Sequence, residues 1–129
     1  MFEFRILDSK KMLAFSMEGL LSVSDAEKFN AHMRANIAKA RMQFGSLRML
    51  GDARNAPVQQ MEISQILDPP SKYLVGRQDR YAIVVATTLH KLQVSRVIDD
   101  PRAKVFLAIE EAEEWLRAEG NAASDNDPR

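Results

Sequence analysis

The spacing of apolar residues along the chain changes period several times, and each change marks a predicted element. Phe2 to Leu7 and Met12 to Glu18 are short apolar-rich runs separated by Asp8-Ser9-Lys10-Lys11, the pattern of an antiparallel hairpin. Within the second run Leu13, Phe15 and Met17 alternate with Ala14 and Ser16, which predicts one buried face. Ala26, Phe29, Met33, Ile37 and Ala40 then recur at spacings of three and four, one apolar stripe of a helix. Ser24-Asp25-Ala26-Glu27 reads as its capping box and Gly45 as its stop signal, so the helix is predicted from about Asp25 to Gln43. Lys28, Arg34, Lys39 and Arg41 fall to its solvent side.

Leu47 to Asp52 reads as a third strand, followed by the turn Asp52-Ala53-Arg54-Asn55-Ala56-Pro57. Pro57 suits the first turn of a helix, and Val58, Met61, Ile63, Ile66 and Leu67 give a weaker helical pattern that stops at Pro69-Pro70. From Ser71 to Arg80 the pattern supports only a short helical turn around Tyr73, Leu74 and Val75. Tyr81 to Thr87 is apolar without alternation, as in a strand covered on both faces. Thr88 is placed to cap a helix carrying Leu89, Leu92 and Val97, which Asp99-Asp100-Pro101 ends. Val105 to Ala108 is the last predicted strand. Glu110, Glu111, Glu113 and Glu114 crowd the start of the last helix, where the dipole favours negative charge, with Ala112, Trp115 and Leu116 as its buried side.

This order predicts an α/β fold: a single mixed five-stranded sheet, antiparallel in its N-terminal hairpin and parallel afterwards, flanked by about four helices. Residues 1–118 form one domain on this reading, and 119–129 form a polar tail with nothing to bury, expected to be disordered. The seven methionines are spread over the pattern, with Met12, Met17, Met33, Met42, Met49 and Met61 on predicted core faces.

Composition narrows the chemistry. Eighteen basic residues balance eighteen acidic ones, so the basic excess usual in nucleic-acid binders is lacking. The absence of cysteine removes disulfides, thiolate metal sites and cysteine nucleophiles. The N-terminus lacks the order of a signal peptide, and no apolar run approaches the length of a bilayer span; a cytoplasmic protein without a transmembrane segment is the expectation. No catalytic triad order, Gly-rich phosphate loop or histidine pair at metal-ligand spacing occurs, so no catalytic residue, metal or cofactor is expected; the remaining alternative is an enzyme using Asp52, Arg54 and His90.

The strand-and-loop Leu50-Gly51-Asp52-Ala53-Arg54, the apolar strand Ala82-Ile83-Val84-Val85, and Val105-Phe106-Leu107 leading into Glu111-Ala112-Glu113-Glu114-Trp115-Leu116 together resemble the STAS/SEC14 superfamily, in particular its bacterial SpoIIAA-like branch. The resemblance spans roughly Met1 to Leu116. It implies a non-enzymatic domain used in protein interaction, and in some relatives the binding of small or lipid-like ligands. In the anti-sigma-factor antagonist branch the loop after the third strand carries an Asp followed by a phosphorylatable Ser. Asp52 occupies the Asp position here, but Ala53-Arg54-Asn55 follows with no hydroxyl, so the phosphorylation switch is not expected.

The candidate site residues follow. Asp52, Arg54 and Asn55 stand where a parallel strand gives way to a helix, the usual place for ligands in open α/β sheets. Arg54 has the geometry to grip an anion; equally, Asp52 could cap the turn and pair with Arg54 locally. Thr87, Thr88 and His90 lie at the matching end of the next strand and could share a pocket with Arg54, or Thr88 could be a simple cap and His90 a solvated residue. His32 reads as a surface histidine. Met61 and Tyr73 mark a segment, residues 58–75, that could cover an apolar pocket or a partner-binding groove. The expected occupants are a protein partner or a small apolar ligand, with pairing into a homodimer through a helix or sheet edge also expected.

Overall fold

The computed structural model describes residues 1–118; the predicted tail lies outside the described residues. The chain runs β1 (Phe2–Leu7), β2 (Met12–Glu18), α1 (Val23–Phe44), β3 (Arg48–Asn55), α2 (Met61–Ile66), a 3₁₀ turn (Pro70–Tyr73), β4 (Arg80–Val84), α3 (Thr88–Val97), β5 (Ala103–Phe106) and α4 (Ile109–Arg117). The strands lie side by side in chain order. β1 and β2 are antiparallel, while β2–β3, β3–β4 and β4–β5 are parallel. This is the mixed sheet that the sequence pattern predicts. Among the described residues no helix is long and apolar enough to cross a membrane.

Alternation along the strands divides the helices between the two faces. Leu13, Phe15, Met49, Tyr81 and Ala103 share one buried cluster with the stripe Phe29, Met33, Ile37 and Ala40 of α1, and Val85 and Val105 on the same face share one with Val94 and Ile98 around α3. Met12, Ala14, Leu50, Ala82, Val84 and Phe106 turn to the other face and meet Ala112 and Leu116 of α4. α4 therefore covers its face alone.

Several predicted boundaries shift for local reasons. The capping box of α1 is Ser22 with Asp25: Ser22 Oγ accepts from the Asp25 N–H at 3.0 Å and the Asp25 carboxylate accepts from the Ser22 N–H at 3.1 Å. Ser24-Asp25-Ala26-Glu27 fits the same pattern, but Leu21 before Ser22 packs with Ala26 and Ile63, a hydrophobic staple that selects the earlier start. Pro57 does not open a helix. Gln59 accepts from Leu21 N–H at 2.8 Å and donates to Gly19 O at 3.1 Å, which ties the loop to the β2–α1 turn and delays α2 to Met61. The α3 cap is Thr87, whose Oγ1 accepts from His90 N–H at 3.1 Å, and not Thr88, so β4 ends at Val84. β5 begins two residues early, at Ala103. Met42 and Met61, placed on core faces by the sequence, are largely exposed.

The segment without a clear sequence pattern is ordered by one carboxylate. Asp79 is buried and accepts from the N–H groups of Leu47, Val75 and Gly76 at 2.9 Å each. Arg41 of α1 clamps it with two bonds, at 2.6 and 3.2 Å, and donates to Tyr73 O at 2.8 Å. Burial alone would raise the carboxyl pKa, but Arg41 and these backbone donors outweigh it and bring it down to about 2. A second anchor holds α4: buried Arg80 donates to Trp115 O and lies over the Trp115 ring, and Arg48 donates to Leu116 O.

Asp79→Asn is expected to destabilise the fold by about 2–4 kcal/mol, because it leaves Arg41 and its backbone partners poorly matched; chemical denaturation of both proteins measures this. The folded pKa lies below that of a free carboxylate, so this contribution is complete above about pH 4 and disappears as pH falls through about 2. The stability gap between the two proteins should close over that window.

Candidate functional site

On the face shared by α1 and α3 the helices stand apart. α1 packs over β1 and β2, while α3 packs over β5 and buries none of its own residues fully. The middle of the sheet between them is roofed only by the segment after β3. A cleft of about 490 Å³ results. Phe15, Ala53, Tyr81 and Ile83 form its floor, Phe29 of α1 forms one wall, and Val94 and Val97 of α3 form the opposite wall. Val58, Leu67, Pro69 and Pro70 close it from the segment after β3, with Gln59, Ser64, Asp68, His90 and Gln93 as the polar members of the lining. The volume is within the range of small-molecule sites, and the lining has their usual character, mostly apolar with a few polar groups.

One glycine sets the floor. Gly51 of β3 pairs with Phe15 of β2, and the Phe15 ring lies across it so closely that a Cβ at Gly51 would stand 2.5 Å from the ring. The ring is held there by Phe4 and Phe29 at centroid distances of 5.5 Å, and by Tyr81, near-parallel at 6.2 Å. Beyond it Ala53 adds only a methyl group, so the floor drops toward the C-terminal ends of the strands, where ligands of open α/β sheets bind.

The predicted site residues are divided among three places. Asp52 does not face the cleft; it lines a groove on the α4 side with Glu3, Arg5 and Ser16. It pairs with Arg54 through two bonds at 2.8 and 2.9 Å and accepts from the Arg54 N–H, the local pairing that the turn chemistry allowed. The Arg54 hydrogen bonds hold the Asp52 carboxyl below the usual range. Arg54, Asn55, Thr87 and His90 border a shallow depression at the ends of β3 and β4. His90 alone of these also borders the cleft, and Thr88 borders neither. Asp52, Arg54 and His90 thus do not converge on one point. Met61 points to solvent. The Tyr73 hydroxyl donates to Asp68 at 2.8 Å, and Lys72 and Arg34 also reach that carboxylate, so Tyr73 secures the cleft rim without lining it. His32 is exposed on α1, against Phe2 and Phe4. Among the described residues no group of three His, Asp or Glu side chains could hold a metal.

Phe15, Phe29, Ile83 and Val94 escaped the sequence reading because apolar residues at core spacings look alike whether they face another side chain or an open cleft. Gly51 was the available signal: a glycine inside a strand marks a close approach.

No family model matches the chain, and no curated protein does. Solved structures do. One is an uncharacterized protein of the DUF3478 family from Shewanella loihica PV-4 with a SpoIIAA-like fold, 21% identical, with a TM-score of 0.66 over 89% of this chain and 93% of that one. Another is an anti-sigma factor antagonist from Mycobacterium paratuberculosis, 14% identical, with a TM-score of 0.65 over 92% of this chain and 96% of that one.

Gly51→Ala is expected to cost about 1–3 kcal/mol, as overpacking does when the neighbour cannot retreat, and the double variant Gly51→Ala with Phe15→Leu should recover part of that loss. Equal stabilities of Gly51→Ala and the unsubstituted protein in urea would refute the close approach. The chain has the SpoIIAA-like α/β fold.

Proposed function

We propose that this chain is a non-catalytic binding domain and that the cleft between α1 and α3 takes an apolar or amphipathic small molecule. The observation that carries the reading is the cleft's make-up: about 490 Å³ over a floor of Phe15, Ala53, Tyr81 and Ile83, with a mostly apolar lining. Water in such a space gains few hydrogen bonds, so a hydrocarbon chain or ring that displaces it is favoured by the apolar area removed from water. Ser64, His90 and Gln93 are the lining groups that could meet a polar head group, since the Gln59 amide is bonded to Leu21 and Gly19. A catalytic reading has less support, since Asp52 belongs to the other face and its carboxylate is occupied by Arg54.

A second reading is a regulatory domain that binds a protein partner through the Asp52–Pro57 loop and the adjoining segment. Val58 and Val97 on the cleft rim are exposed, as are Leu89 and Leu92 of α3 outside the cleft lining, more apolar surface than a free helix usually presents. That reading is compatible with the fold shared with an anti-sigma factor antagonist. The hydroxyl-free loop after β3 argues that any such interaction works without a phospho-Ser switch.

The test uses N-phenyl-1-naphthylamine, an uncharged apolar fluorophore. It should bind the purified protein with enhanced emission. Ala53→Leu, which fills the floor, should weaken binding about tenfold or more, the loss expected from about 1.4 kcal/mol of contact, while its circular dichroism stays that of the folded protein. No enhancement with the unsubstituted protein, or equal binding by the filled variant, would reject the cleft as the site.

A further inference from the structure

β1 is an outer strand, and among the described residues nothing pairs with its far side. Its backbone register is fixed by Met1 and Glu18, which exchange both bonds: Met1 N donates to Glu18 O at 2.9 Å and Glu18 N–H donates to Met1 O at 2.8 Å. Counting along the continuous register from that pair, Glu3, Arg5 and Leu7 turn their backbone groups toward β2, and Phe2, Phe4 and Ile6 turn theirs outward. The side chains sort the same way. Phe2, Phe4 and Ile6 pack on the α1 face as part of the core, whereas Glu3 and Arg5 stand exposed on the opposite face. Their cross-strand neighbours in β2 are Ser16 and Ala14, neither charged, and among the described residues neither forms a salt bridge.

We propose that this edge pairs antiparallel with the β1 edge of a second copy of the chain, centred on Phe4, so that Glu3 of each copy faces Arg5 of the other. This register joins outward backbone groups throughout: Phe4 to Phe4 across the two-fold axis, and Phe2 to Ile6 on either side. It also places both Glu3–Arg5 pairs at non-hydrogen-bonded positions, where side chains across an antiparallel ladder come closest. The neighbouring registers that keep outward groups paired are excluded by charge. Centring on Glu3 opposes two glutamates, and centring on Arg5 opposes two arginines. α1 lies over β1 and β2, so the two-fold axis sets the two α1 helices side by side roughly 10 Å apart, an ordinary packing distance. The other edge of the sheet differs: β5 has four residues and its only charge is Lys104, so it offers no pair of opposite charges, and a lysine is a usual way to blunt an edge.

The chain lacks cysteine, so the register can be read by cross-linking. Glu3→Cys and Arg5→Cys are made as separate full-length variants, mixed in equal amounts and oxidised mildly. The expected product is the mixed disulfide dimer, which joins one Glu3→Cys chain to one Arg5→Cys chain, well above its statistical share. Opposed non-hydrogen-bonded positions lie within disulfide reach. Each variant alone should stay monomeric under denaturing, non-reducing conditions. In sedimentation equilibrium, Glu3→Arg should weaken dimerisation about tenfold through its two like-charge pairs, and Glu3→Arg with Arg5→Glu should restore it. A statistical distribution of disulfides, failure of the charge swap to restore association, or a monomer at every concentration up to the submillimolar range would overturn the proposal. The last result would leave the edge to a strand from a different protein.

Discussion

The contact between Phe15 and Gly51 is the constraint on which the rest of this sheet depends. An aromatic ring can lie across the centre of the sheet only because its neighbour in β3 has no side chain. Lying there, the ring links Phe4 of the edge strand, Phe29 of α1 and Tyr81 of β4 into one aromatic core. It also fills the space nearest α1 and leaves the space nearest α3 empty. The cleft follows from that asymmetry: the Phe15 ring covers Gly51 on the α1 side, and past the ring Ala53 adds only a methyl group to the floor toward α3.

Two arginine-centred anchors fix the surroundings. Arg41 reaches from α1 to Asp79, and through it holds the loop between the 3₁₀ turn and β4. Arg48 and Arg80 project from β3 and β4 to the last carbonyls of α4, where positive charge also meets the negative end of the helix dipole. Among the described residues α3 has no comparable anchor, and its packing rests mainly on Val94 and Ile98. A helix with no fully buried residue thus borders the cleft, a common division of labour between rigid scaffold and binding edge.

The order and type of the elements and the direction of the strands were legible in the sequence because they rest on period. The α1 stripe Ala26, Phe29, Met33, Ile37 and Ala40 is the set that the fold buries. The hairpin and the later parallel strands also follow from alternation and from helical spacers. Boundaries were less legible where two neighbouring residues could serve as cap: Ser22 and Ser24, or Thr87 and Thr88. Packing decides there, as Leu21 does for α1. The Asp79 hub was hidden because its donors come from residues 41, 47, 75 and 76, which only the fold brings together. The candidate site was least legible. Asp52 and Arg54, the polar residues at the strand end, satisfy each other, whereas an apolar cleft is built from residues that look like core.

The most direct test of the cleft as the binding site is methyl NMR of the protein during titration with decanoate, an amphipathic probe that fits an apolar cleft with a polar rim. The expected result is saturable shifts at Ala53, Leu67, Ile83, Val94 and Val97, with Leu50, Ala82 and Val84 beneath α4 unmoved. Shifts centred on the α4 face, or none at any concentration below the micelle threshold, would contradict the account.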